Sequence, residues 1–270
     1  MSTADTLPPP EPAASAPERH LGGLADLVLF FAGAVFLFLT VQIAAASLLL
    51  YDARQKNPGL TWHEVIDLVS KRVEYNAFYA VPVQLIYYAL LVLLIYGLVR
   101  GRRGLPFWSG LALRRLPAGQ IAAALAAGVL LALVIQLANV LVPPPEQLPF
   151  DRLFSSRAAA LLIIAASLFV APFAEELVFR GYIYTLLERP WGTAGAVTAS
   201  GLLFGAIHFP QLYPGYFQMG LLCVVGLVFS LARARTGTLL ASVLLHLGYN
   251  AAISALFLAS DEFQKLATFL

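Results

Sequence analysis

The chain has 270 residues, of which 60% are hydrophobic and only 12% charged, and its mean hydropathy is +0.79. A soluble domain carries about twice that share of charge. The composition therefore excludes a water-soluble enzyme, a disordered tail protein and a nucleic-acid binder. A net charge of +2 argues for no anionic partner. The one cysteine, Cys223, excludes an internal disulfide framework and a Cys-rich metal site. The length suits one domain.

Residues 1–20 carry five prolines and no apolar periodicity, which predicts a flexible tail. The apolar run that follows is too long for a signal-peptide core of about 7–15 residues. It reads instead as the first spanning helix, opening one helical membrane domain over 21–270 with a functional core at about 158–260. At about 20 apolar residues per crossing, about seven spans are expected. They are Leu24–Leu50, Asn76–Val99, Gly119–Val142, Ala158–Leu187, Thr193–Phe209, Tyr216–Ala232 and Leu239–Ser260. These runs are continuous rather than alternating, so an all-α polytopic bundle is expected and not a β-barrel.

Every second loop is basic. Arg100, Arg102, Arg103, Arg114 and Arg115 follow the second span, Arg189 the fourth, and Arg233 and Arg235 the sixth. That asymmetry predicts a cytoplasmic N-terminus in a bacterial-type plasma membrane. Between the first two spans, Val65, Leu68, Val69 and Arg72 fall near helical spacing and predict an amphipathic surface helix. Trp62, Trp108, Trp191, Tyr213 and Tyr216 lie near span ends, as interfacial aromatics do.

A charge at the bilayer centre costs about 2.5–3.5 kcal/mol on insertion scales, so its presence asks for a function. Glu175, Glu176 and Arg180 all fall within the fourth span, and His208 and His246 within the fifth and seventh. Glu176 and Arg180 are i,i+4 and can pair along one helix face, which also serves to insert the helix. Glu175 is turned away by about 100° and lacks an intrahelical partner. It is either a helix-end residue reaching the interface or a site residue. At about 1.5 Å per residue, Glu175, His208, His246 and Asn250 lie about 18, 22, 12 and 18 Å above the ends of their helices on the basic side. Four polar groups on three helices thus share one slab of the membrane.

A carboxylate with two imidazoles suits general-base activation of water, metal ligation or a proton relay. The amide of Asn250 suits donation to a developing oxyanion. No Ser or Cys stands beside a His as a nucleophile, Cys223 reads as packing, and the HExxH zinc signature is absent. Gln84, Gln136 and Asn139 read as interhelical hydrogen-bond partners, and Tyr249 as packing. Gly201 and Gly205 form a small-xxx-small pair that would bring the fifth span close to a neighbour and His208 within reach of Glu175.

Glu175-Glu176-x-x-x-Arg180, Phe204-x-x-x-His208 and His246-x-x-x-Asn250, in that order, resemble the three motifs of the CPBP family. These are the Abi-like CAAX proteases and bacteriocin-processing enzymes, polytopic intramembrane endopeptidases that include the CAAX prenyl protease 2 type. The resemblance covers roughly 158–260. It implies that Glu175 activates the hydrolytic water with help from His208. It further implies that His246 and Asn250 polarise the scissile carbonyl, and that Glu176 and Arg180 support the helix. It implies a peptide or protein substrate, membrane-associated or lipidated, met within the lipid bilayer. No cofactor is expected; a zinc alternative would use Glu175, His208 and His246. Some relatives end in an additional helix that has no counterpart after the seventh span. The rival readings are a proton- or cation-coupled transporter, and a non-catalytic bacteriocin-immunity or scaffold protein.

Overall fold

Long apolar runs of Leu, Ala, Val and Phe build long helices, and the first is α1, Leu24–Lys56. The computed structural model describes residues 21–144 and 147–266, with no strand among them; the tail expected over 1–20 lies outside the described residues. Helix α2, Trp62–Val73, starts at a reciprocal cap in which Thr61 and Glu64 bond each other's backbone amides. Its Val65 and Val69 are buried against Ala53 at the end of α1, with Leu49, Leu50 and Leu60 around them. The expected amphipathic helix is therefore present and folds back onto α1, while Arg72 stays exposed.

Helix α3, Ala77–Tyr96, runs on through a π-helical turn at Gly97–Arg102, and the one-turn α4, Phe107–Gly110, leads to α5, Ala118–Leu141. Late in the chain come α10, Tyr216–Thr236, α11, Leu239–Leu258, and the short α12, Asp261–Leu266. Helices α1, α3 with its extension, α5, α10 and α11 are each long and apolar enough to cross a membrane. The protein is a multi-pass helical membrane protein.

The region expected as the fourth and fifth spans carries breaks of its own. Helix α6, Arg157–Phe169, stops at Val170, and α7, Ala171–Glu176, resumes after a bend of 40°. Pro172 is the cause, because it lacks the N–H that would continue the hydrogen-bond ladder. A π-helical stretch, Leu177–Ile183, then passes into α8, Tyr184–Ala206, whose backbone leaves helical geometry at Gly192, φ 67° and ψ 175°. The chain doubles back there, since Ser200 Oγ bonds the Phe179 carbonyl at 2.9 Å and the Phe179 and Phe204 rings lie 5.4 Å apart. The break separates two helices where two spans were expected, although by length and composition the bent pair counts as one sixth candidate span. After Ala206 the chain turns a corner at His208 into the four-residue α9, Phe209–Leu212. His208 thus lies just past a helix end and not inside a span, because Pro210 cannot extend α8.

Close backbone approaches hold these helices together. A Cβ at Gly128 or Gly248 would strike the backbone of the facing helix, so α5 and α11 pack directly through these two glycines. Gly201 and Gly205 of α8 meet Leu227 and Cys223 of α10 in the same way, and Gly226 meets Gly201. The exposure pattern is inverted relative to a soluble protein. Val28, Phe36 and Ile43 on α1 and Leu137 and Val140 on α5 are exposed, while Glu176 and Arg180 are fully buried. An apolar solvent on the outside accounts for both. The basic segments gather at one end. Asp26 pairs with Arg102 at 2.9 Å and also with Arg103, Arg103 and Arg189 line one cavity, and the Arg114 backbone is bonded to Thr238.

Candidate active site

The bend at Val170 and the π-helical stretch behind it present the two glutamates to the bundle centre. Helix α7 carries both carboxylates inward, and both are buried. Its neighbours there are α3, α6 and α11.

Glu176 is the electrostatic centre. Its Oε1 accepts from Arg180 Nη1 at 2.9 Å and from His246 Nδ1 at 3.0 Å. The guanidinium of Arg180 also donates from Nη2 to the Gly226 carbonyl at 2.6 Å and from Nε to Ser230 Oγ at 3.2 Å. Its flat faces lie among aromatic rings, 4.6 Å from the Phe204 centroid and 5.4 Å from that of Phe229. The i,i+4 pair expected from the sequence therefore ties the bent helix to α10 and α11 as well as to itself.

His246 is 4% exposed. Because Glu176 can only accept, the bond between them makes Nδ1 the protonated nitrogen of the neutral ring. Nε2 then faces the other glutamate, 4.0 Å from Glu175 Oε2. That separation is too long for a direct hydrogen bond. The ring is fixed by Phe229 at 4.6 Å and by the edge of Phe204 at 5.8 Å.

Glu175 finds a partner that the sequence reading did not name. Its Oε1 accepts the hydroxyl of Tyr88 on α3. The two residues are 87 positions apart, and only the packing of α3 on α7 reveals the contact. The one available signal was Gln84, i−4 to Tyr88, which marks a polar face on an apolar span.

His208 is half-buried and joins the cluster through an aromatic ring. Its Nδ1 donates to the Phe204 carbonyl at 2.7 Å, and its ring lies 5.0 Å from the Phe204 ring. Phe204 in turn abuts His246, so FxxxH spacing places one ring between two imidazoles. The bond to the carbonyl leaves His208 Nε2 as the basic nitrogen of the neutral ring. Asn250, one turn beyond His246, donates from Nδ2 to the Ser167 carbonyl at 2.8 Å. Ser167 is near the end of α6, where the bend frees backbone carbonyls from the ladder. Asn250 thus caps the broken helix with one of its two amide hydrogens.

The set expected for a zinc alternative, Glu175, His208 and His246, does not fit a metal. Among the described residues no three His, Cys, Asp or Glu side chains converge to hold one. The remaining polar side chains act between helices. Gln218 of α10 donates to the Val142 carbonyl at 2.9 Å and reaches Asn139, which in turn bonds Gln136 at 3.2 Å. Tyr249 is buried with its ring 6.0 Å from Phe229.

Comparison with known proteins addresses the same segment. A stretch of 119 residues is 33% identical to a protein of Escherichia coli described as an uncharacterized 24.3 kDa protein, covering 42% of this chain and 53% of that one. The chain thus spans about half the length of that curated relative. No solved structure matches. Residues 157–252 match the profile of the Rce1-like type II CAAX prenyl endopeptidases. That range includes Glu175, Glu176, Arg180, His208, His246 and Asn250, and over it the chain is similar to the Rce1-like type II CAAX prenyl endopeptidases.

Proposed function

We propose that this protein is an intramembrane endopeptidase that hydrolyses a peptide bond with a glutamate-activated water. The observation that carries this reading is the facing pair Glu175 Oε2 and His246 Nε2, 4.0 Å apart in the buried centre of a helical membrane protein. A water oxygen fits between two such groups, and a carboxylate there is placed to take its proton. In this reading Glu175 is the general base. His208, with Nδ1 held by the Phe204 carbonyl, offers Nε2 to assist proton movement to the leaving amine. His246, as the imidazolium with Nδ1 kept on Glu176, donates from Nε2 to polarise the scissile carbonyl, and the second amide hydrogen of Asn250 donates to the oxyanion. Glu176 holds the ring of His246 by its Nδ1 and Arg180 balances the charge of Glu176.

No metal step enters this scheme, because the donor set does not converge. The substrate in this reading is a peptide or protein presented within the bilayer, and the similarity of 157–252 to CAAX prenyl endopeptidases favours a lipidated C-terminus. The shared end of the basic loops supports a cytoplasmic N-terminus in the plasma membrane.

The test is cleavage by the purified, reconstituted protein of a peptide with an isoprenylated C-terminal cysteine, in water enriched in oxygen-18, read by mass spectrometry. The reading predicts a labelled carboxylate product, and no product from Glu175→Ala or His208→Ala at unchanged melting temperature. Unchanged cleavage by both variants would overturn it.

A further inference from the structure

The family match begins at residue 157, yet the side chain that touches Glu175 comes from α3, well outside it. Tyr88 donates its hydroxyl to Glu175 Oε1. Gln84 lies one turn earlier on the same helix. Gln84, Tyr88 and Glu175 thus form a polar row from the surface of α3 to the buried carboxylate. Gln84 is exposed, Tyr88 half-buried and Glu175 buried.

Resting on the reading of Glu175 as the base, we propose that Tyr88 is the positioning residue that selects which carboxylate oxygen of Glu175 acts. With Oε1 occupied by the phenol, the carboxylate cannot rotate freely, and Oε2 is the oxygen left facing His246 Nε2 at 4.0 Å. Tyr88 thus orients the base, without touching substrate.

The groups that face Glu175 are few. Tyr88 comes from α3 and His246 from α11, while Glu176 and Arg180 sit beside it on its own helix. Helix α6 adds none, since its one ionisable residue, Arg157, lies over the Phe263 ring at 5.2 Å. Among these, Tyr88 is the group that donates directly to Glu175, so removing its hydroxyl should be read in the base itself.

The experiment compares Tyr88→Phe, Gln84→Leu, Tyr87→Phe and Glu175→Gln in the reconstituted full chain. Tyr87 is the internal control, because its hydroxyl bonds the Ala34 carbonyl at 3.2 Å and not the site. Tyr88→Phe is expected to lower kcat about 10- to 100-fold, the loss of one hydrogen bond to a charged group, with KM unchanged. Gln84→Leu should lower kcat less, again with KM unchanged, which keeps the test open if Tyr88→Phe folds poorly. Tyr87→Phe should leave kcat and KM at wild-type values.

The failures are distinguishable. If Glu175→Gln cleaves like wild type, the base assignment itself falls and this proposal with it. If Glu175→Gln is inactive while Tyr88→Phe keeps wild-type kcat, or loses kcat and KM together, the base stands and the role of Tyr88 is overturned.

Discussion

His246 donates from Nδ1 to Glu176 Oε1 across 3.0 Å, joining residues 70 positions apart and locking α11 to the bent helix. The same oxygen is held by Arg180 at 2.9 Å, and both charged partners are fully buried. A buried pair adds little net stability, but removing one partner strands the other and costs about 3–5 kcal/mol. Glu176→Ala is therefore expected to destabilise the protein by about that amount, and Glu176→Gln by clearly less. Unfolding in mixed detergent micelles checks both; equal stability of the two variants would refute the pairing.

The helix contacts make a prediction with opposite signs at two glycines. Gly248→Ala pushes a Cβ into the Leu125 backbone and should cost about 1–3 kcal/mol. Gly220→Ala has open space around it on α10 and should instead stabilise by up to about 1 kcal/mol through helix propensity. Melting temperatures of the two variants in one detergent decide this.

What could be read from one chain followed from scarcity of charge. Few charged residues in long apolar runs exposed Glu175, Glu176 and Arg180 as exceptions, and i,i+4 geometry paired the last two. The helical class and five long helices also follow from hydropathy, because length and composition decide membrane crossing. Pro172 signalled the bend but was absorbed into the fourth span, and the fifth span was run up to Phe209, just before Pro210, so the corner at His208 was missed. Tyr88 and the Ser167 carbonyl stayed hidden for another reason. Their partners, Glu175 and Asn250, are 87 and 83 residues away, and no periodicity encodes which distant helix lies alongside.

His208 should separate chemistry from stability. It is half-buried, and its protein hydrogen bond among the described residues is to a backbone carbonyl. His208→Ala is expected to lower kcat by about 10²–10⁴, the usual contribution of a proton-transfer group, with a melting temperature within a few degrees of wild type. Steady-state kinetics beside a thermal melt test this, and a large loss of stability with intact kcat would reverse the assignment.

A pH effect is expected at the surface, away from the site. The Thr61 backbone amide, and then its hydroxyl, bond the Glu64 carboxylate and hold it below the usual glutamate range. A depressed folded-state value means the cap stabilises α2 above the ordinary carboxylate titration and is lost as pH falls through the lowered one. Hydrogen exchange of the amides at 62–65 should therefore speed up in acid beyond its intrinsic pH dependence. Glu64→Gln should weaken that acid response.

The central claim is that Glu175 is the base. The most direct measurement is the single-turnover cleavage rate of reconstituted Glu175→Gln beside wild type, with the melting transition of each recorded on the same samples. The account predicts a rate at least about 100-fold lower at an unchanged melting transition. Wild-type cleavage by Glu175→Gln would contradict it.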